Sequence, residues 1–93
     1  MNENCRLIAA FFPQRPGTVS TDTVETLLSR HPVRIDRIEV TEKGVLVFAQ
    51  STRCESLDLT SMRESLFREA QAAGYRVRLQ REDLFRAMHS LVL

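Results

Sequence analysis

The sequence predicts a single α+β domain whose elements follow one another in the order β-α-β-β-α-β. The prediction rests on two short segments that are apolar throughout and on two longer segments whose apolar residues recur every three or four positions. A chain of 93 residues suits one small domain. Its 43% apolar and 27% charged residues are typical of a folded globular protein and exclude a disordered one.

The first apolar segment, residues 5–12, predicts strand β1, because it is short and is followed by a proline. Residues 18–31 carry their apolar side chains on one side and predict helix α1, which Pro32 ends. Asp22 and Glu25 have the spacing of a capping box near its start, although Pro16 and Gly17 suggest that the helix begins earlier.

A hairpin is predicted in the middle of the chain. Residues 33–41 alternate as strand β2, but their apolar positions change parity, which predicts a β-bulge at residues 36–37. A turn follows, with Gly44 at the position expected to need a positive φ. Residues 45–50, the second fully apolar segment, predict strand β3.

The last helix and strand of the domain have clear patterns. Residues 59–73 predict helix α2, with a capping-box spacing at Ser61 and Glu64 and with Gly74 as a left-handed residue after its end. Residues 75–80 alternate between apolar and polar, as expected of an edge strand, β4, that faces water on one side.

These elements predict a ferredoxin-like sandwich: a four-stranded antiparallel sheet of order 4-1-3-2, with two helices on one face plus a C-terminal helical tail. The order follows from two right-handed crossovers that share one sheet. It makes β1 and β3 the central strands, and these are the two segments that are apolar on both faces. Residues 1–82 are assigned to the domain and residues 83–93 to an amphipathic tail, whose last residues could instead begin a strand.

The second face of this sheet is also expected to be covered. Two helices cover one face only, and an open apolar face of several hundred Å² is unusual on a soluble monomer. We expect either the tail or a second subunit to cover it. The β1 side chains on that face are either Ile8, Ala10 and Phe12 or Leu7, Ala9 and Phe11.

Composition excludes several classes of function. A net charge of +1 gives no general attraction for nucleic acid. No apolar segment has the length of a membrane span, and the N-terminus does not resemble a secretory leader. Cys5 and Cys54 form no paired motif, so free thiols in a reducing cytosol are expected, with Cys54 in a polar loop as a candidate reactive thiol.

No catalytic or metal-binding motif is present in the sequence. His31 and His89 have no cysteine or carboxylate at metal-ligand spacing, and the position of His31 at the end of α1 is explained by the helix dipole. Motifs of nucleotide-binding loops, zinc proteases and serine hydrolases do not occur. Neither catalysis nor a cofactor or metal is therefore expected.

The connector between β1 and α1 is the best candidate binding site. Its sequence, Gln14-Arg15-Pro16-Gly17-Thr18-Val19, leads from a central strand to a helix N-terminus. Unpaired backbone N–H groups there favour an anion such as a carboxylate, and Gly17 allows close approach to the backbone.

This connector resembles the signature of the ACT domain family, regulatory modules of amino-acid metabolism. The family has Asp/Asn-Arg-Pro-Gly and then a hydrophobic residue at the start of α1, a β2 that begins Val-Asn-Ile, and a glycine hairpin. Here Val33-Arg34-Ile35 and Lys43-Gly44 occupy the last two positions. The resemblance implies a non-catalytic homodimer that binds a small amino acid or related carboxylate at the subunit interface. The residues that match the binding region are Gln14, Arg15, Gly17, Thr18, Val19, Arg34 and Ile35.

Two positions depart from the family pattern. Serine-sensing members have a histidine before the signature and an asparagine in β2, where this chain has Phe12 and Arg34. Arg34 would instead bind a carboxylate, or the region would serve only subunit pairing. The alternative function is therefore a dimerisation or protein-interaction module without a ligand.

The tail carries a second likeness. Residues 80–93 resemble the junction that follows the N-terminal ACT-like domain of some bacterial phosphoserine phosphatases. The likeness implies that the partner is a catalytic domain or an enzyme of amino-acid metabolism, in a protein whose cysteine usage predicts a cytoplasmic location.

Overall fold

A computed structural model describes residues 4–92, with side chains up to Ala87. Four strands form one antiparallel sheet in the order β2-β3-β1-β4, which is the predicted order 4-1-3-2 read from the opposite edge. The predicted α+β class and antiparallel sheet are confirmed. The elements are β1 Cys5–Pro13, α1 Thr21–Ser29, β2 Val33–Val40, β3 Val45–Ser51, α2 Ser56–Ala72, β4 Tyr75–Arg81 and α3 Glu82–Val92.

The main core lies between the sheet and helices α1 and α2. One set of alternate β1 side chains, which includes Leu7, Ala9 and Phe11, faces these helices, and Phe11 is 0% exposed. Val24, Leu28 and other apolar residues of α1 pack there together with α2. The α2 members are Leu59, Met62, Leu66 and Ala70.

Helix α3 covers part of the second face, which is the first of the two expected arrangements. It contacts β1 and β4, and Ile8 and Ala10 on that face are only 4% and 5% exposed. On the β2 side, the guanidinium of Arg37 lies 4.1 Å from the centre of the Phe48 ring and shields it from water. The apolar tail side chains predicted at Met88, Leu91 and Val92 lie outside the described side chains.

Both predicted capping boxes are wrong. Helix α1 begins at Thr21, and the Ser20 hydroxyl accepts a hydrogen bond from the backbone N–H of Thr23. Serine is a favourable N-cap residue, and Ser20 precedes the predicted pair, so the helix begins directly after Ser20. Helix α2 begins at Ser56 and places Ser61 and Glu64 inside the helix; its first turn carries Asp58, which interacts favourably with the helix dipole.

The bulge and one of the two predicted positive φ angles are confirmed. The register of β2 against β3 shifts between Ile35 and Arg37. Gly74 has a φ of 86°, but Gly44 is not among the glycines with positive φ. A Cβ at Gly44 would overlap the backbone oxygen of Phe11, so glycine is needed there for the close approach of the hairpin to β1.

The prediction of free cysteines is also wrong, because Cys5 and Cys54 form a disulfide. Strand pairing explains the contact: Cys5 lies opposite Ser51 at the end of β3, and Cys54 follows three residues later. Cys54 is therefore not a reactive thiol in this structure. The argument for a reducing compartment rested on free thiols and loses its basis, since stable disulfides are typical of oxidising compartments.

Reduction of this disulfide is expected to lower the free energy of unfolding. The two cysteines are 49 residues apart in sequence. In the chain-entropy model, closing a loop of that length lowers the entropy of the unfolded chain and raises its free energy by about 4 kcal/mol. Urea unfolding with and without dithiothreitol measures the change. A double variant, Cys5→Ala with Cys54→Ala, should not respond to the reductant. An unchanged urea midpoint for the natural sequence would contradict the prediction.

Candidate functional site

The connector between β1 and α1 is held at both ends. The backbone N–H of Gln14 donates to the carbonyl of Gly74 at 3.0 Å, and the backbone N–H of Ser20 donates to the Tyr75 hydroxyl at 3.0 Å. The side chain of Val19 packs against the core. The loop is therefore tied to the turn between α2 and β4.

Between these ends the connector faces solvent. The side chains of Gln14, Arg15 and Thr18 are exposed, and Gly17 has a φ of 154°. Within the part of the chain that the structure describes, the backbone N–H groups of Arg15, Gly17, Thr18 and Val19 have no hydrogen-bond partner. Such groups can bind a carboxylate, but in one chain nothing encloses it.

The other two predicted site residues lie at the opposite end of the sheet. Arg34 is opposite Gln50 of β3, which in turn is opposite Arg6 near the start of β1. The connector instead follows Pro13 at the far end of β1. At about 3.3 Å per residue, roughly 25 Å of strand separate the two regions. A single chain therefore does not bring Arg34 and Ile35 together with the connector.

The immediate surroundings of Arg34 and Ile35 differ. The Nε atom of Arg34 lies 3.6 Å from Oδ1 of Asp36, and Oδ2 of Asp36 accepts a hydrogen bond from the Gln50 amide at 2.8 Å. Arg34 is exposed, so its guanidinium can also meet a second anion. Ile35 is half-buried and packs against the core, which assigns it a structural role in the single chain.

Tyr75 and Asp36 contact predicted site residues or their immediate neighbours, and the sequence did not indicate these contacts. Tyr75 fixes the end of the connector through its hydroxyl, although it lies 55 positions from Ser20. Asp36 orients Arg34 from the bulge. The predicted bulge is the one sequence feature that points to Asp36, because an extra residue in a strand redirects the side chains beside it.

His31 has a structural explanation. Its Nε2 lies 2.6 Å from Oε1 of Glu69, and an Arg30 guanidinium nitrogen lies 3.5 Å from Oε2 of the same carboxylate. These contacts join the end of α1 to α2. The side chain of His89 lies outside the described side chains.

Residues 4–87 contain no group of three side chains that could hold a metal ion. Among the described helices, none is long and apolar enough to cross a membrane.

The two edges of the sheet differ in charge. Edge strand β4 carries three arginines (Arg76, Arg78 and Arg81) and no acidic residue, and Nε of Arg63 on α2 donates to its Leu79 carbonyl at 2.8 Å. Edge strand β2 carries two basic and two acidic residues, Arg34, Asp36, Arg37 and Glu39. Val40 at the end of β2 is 73% exposed.

Comparison with known proteins finds no family model that matches this chain and no curated protein that matches it significantly.

Proposed function

We propose that the chain is a non-catalytic, ACT-like regulatory module that dimerises through its β2 edge and binds a small amino acid or related carboxylate between the two copies. One observation carries the proposal: the sequence of β2, Val-Arg-Ile-Asp-Arg-Ile-Glu-Val, is complementary to itself when read in the opposite direction. A two-fold axis pairs identical edges in opposite directions, so such a strand can pair with its own copy.

The complementarity holds at every position. With the axis between Asp36 and Arg37, each apolar residue of one copy meets an apolar residue of the other, and each charge meets its opposite. Cross-strand pairs of these kinds stabilise antiparallel sheets. The opposed pairs are Val33 with Val40, Arg34 with Glu39, Ile35 with Ile38 and Asp36 with Arg37.

The other edge is unsuited to the same pairing. Two copies of β4 would bring arginines together without any carboxylate on the strand, and like charges directly opposite each other destabilise a sheet. In addition, the Arg63 side chain already occupies a backbone acceptor of β4. Of the two edges, β2 is therefore the better candidate interface.

Pairing of β2 edges would also place the two halves of the predicted site at the same end of the paired sheets. Because the second copy of β2 runs in the opposite direction, its Arg34 lies beside Glu39 of the first copy, at the end of the sheet where the connector leaves β1. Helix α1 contacts β2, which places the α1 side of the connector toward the interface. Each dimer would contain two such sites, and each site would use both copies.

The chemistry of this composite site suits a carboxylate. The connector supplies free backbone N–H groups around Gly17, and the second copy supplies the Arg34 guanidinium. Charge-assisted hydrogen bonds from arginine to a carboxylate are stronger than neutral ones. A ligand held by both copies would favour the dimer over the monomer, which is how it would regulate an attached or associated catalytic domain or enzyme. The expected cytoplasmic location remains part of the proposal, and the disulfide weighs against it.

Charge reversal at one β2 pair tests the interface. Arg34→Glu places two carboxylates opposite each other at both ends of the paired strands, so the dimer dissociation constant should rise by at least about tenfold. Arg34→Glu combined with Glu39→Arg restores opposite charges and should restore the dimer. Sedimentation over a range of protein concentrations measures both.

Arg76→Glu is the matched control for that test, because it makes the same charge change on the β4 edge. It should leave the dissociation constant within about threefold of the natural value. Equal weakening by Arg34→Glu and Arg76→Glu, or a combined variant as weak as Arg34→Glu alone, would count against β2 pairing.

A thermal-shift panel of the twenty amino acids tests ligand binding. A true ligand at a hundredfold excess over its dissociation constant should stabilise the protein by about 2.7 kcal/mol. Gly17→Val should abolish the shift, since a branched side chain is strained at this backbone conformation and blocks the N–H groups. Thr52→Val is the control, because it places the same branched side chain at an exposed position outside the connector. A flat panel with an intact dimer would instead support the alternative, a dimerisation module without a ligand.

A further inference from the structure

A cavity lies on the second face of the sheet, the face that α3 partly covers. It has a volume of about 290 Å³ and is lined by apolar side chains of β1 and β3 and by Phe85 of α3. The apolar lining residues of the two strands are Ile8, Ala10, Phe12 and Leu46.

The small side chain of Ala10 explains why this space exists. Ala10 lies between Leu46 of β3 and Arg78 of β4 in one row across the sheet. A single methyl group there leaves a gap between two larger neighbours, and among the α3 side chains that the structure describes only Phe85 lines it.

The polar groups that line the cavity are mainly hydrogen-bond donors. Lys43 on the hairpin and Arg78 on β4 are exposed cations, and within the described part of the chain neither side chain has an ion-pair or hydrogen-bond partner. Gln80, which is half-buried, adds an amide. The Thr41 hydroxyl is already used in the turn, where it bonds to Gly44. Among the described residues, no carboxylate lines the cavity.

We propose that this cavity binds a small monocarboxylate with a compact apolar body. The apolar lining would hold the body, and the Lys43 ammonium and Arg78 guanidinium would hold the carboxylate at the rim. A volume of 290 Å³ corresponds to about ten water molecules at roughly 30 Å³ each, so the ligand has about ten non-hydrogen atoms. Apolar walls with a few convergent polar groups are typical of ligand sites.

Octanoate is a suitable probe, because it combines one carboxylate with an apolar chain of this size. Two comparison compounds separate the contribution of the carboxylate from that of the apolar chain: 1-octanol lacks the charge, and acetate lacks the apolar body. In an NMR titration, octanoate should shift the backbone amides of Ala10, Leu46 and Phe85. Both comparison compounds should bind at least about tenfold more weakly.

Substitutions of the lining residues complete the test. Lys43→Gln and Arg78→Gln should each weaken octanoate binding by about fivefold. The control is Arg53→Gln, which removes the same charge from an exposed loop outside the cavity and should leave binding unchanged. Ala10→Leu, which fills the gap, should abolish octanoate binding. If Ala10→Leu does not fold, the two charge variants still test the proposal, because they change exposed side chains and should fold normally.

Three results would overturn the proposal. They are no amide shifts with octanoate at 10 mM, equal binding of octanoate and 1-octanol, and octanoate binding that neither charge variant weakens. Octanoate binding should persist in Gly17→Val and Arg34→Glu. The result of this test is therefore independent of the result for the proposed dimer-interface site.

Discussion

Burial of strand β1 on both faces is the constraint on which the rest of the structure depends. Leu7 and Phe11 on one face and Ile8 on the other are almost completely buried, and a large apolar side chain contributes about 1.5–3 kcal/mol when buried. Helices α1 and α2 cover the first face, α3 covers part of the second, and the disulfide fixes the start of the strand. With both faces of its centre covered within the described part of the chain, the sheet has its two edges available for pairing with another chain.

The difference between those edges leads to the proposed function. Two copies of the all-positive β4 edge would place like charges opposite each other, whereas the charges of β2 would be complementary in the proposed pairing. The pairing direction that two-fold symmetry requires would bring Arg34 of one copy to the end of the sheet where the connector of the other copy lies. The opposite placement of the connector and Arg34 in one chain therefore supports the proposal of a site shared between two copies. A ligand bound at such a shared site would contact both copies, and it would therefore stabilise the dimer relative to the monomer.

Much of the fold followed from the sequence because it depends on periodicity and handedness. Apolar residues at both parities indicated the central strands, the change of parity in β2 indicated the bulge, and right-handed crossovers fixed the order. The disulfide was missed because 49 residues separate the cysteines and only strand pairing brings them together. Gly44 was misread for a similar reason: its constraint comes from the backbone of Phe11, which is distant in sequence.

The candidate site was predictable only in part. The connector was found because proline and glycine mark it in sequence, but nothing in the sequence shows that Arg34 lies at the other end of the sheet. Helix starts were also misplaced, because several polar residues near each start can act as caps and packing selects among them.

Hydrogen exchange of single backbone amides, followed at increasing protein concentration, tests the central claim most directly. If two copies join through β2, the outward-facing amides of Val33–Val40 become protected as the dimer forms, while those of Tyr75–Arg81 exchange at a constant rate. Protection that appears in Tyr75–Arg81, or a dimer that leaves both edges unprotected, would contradict the account.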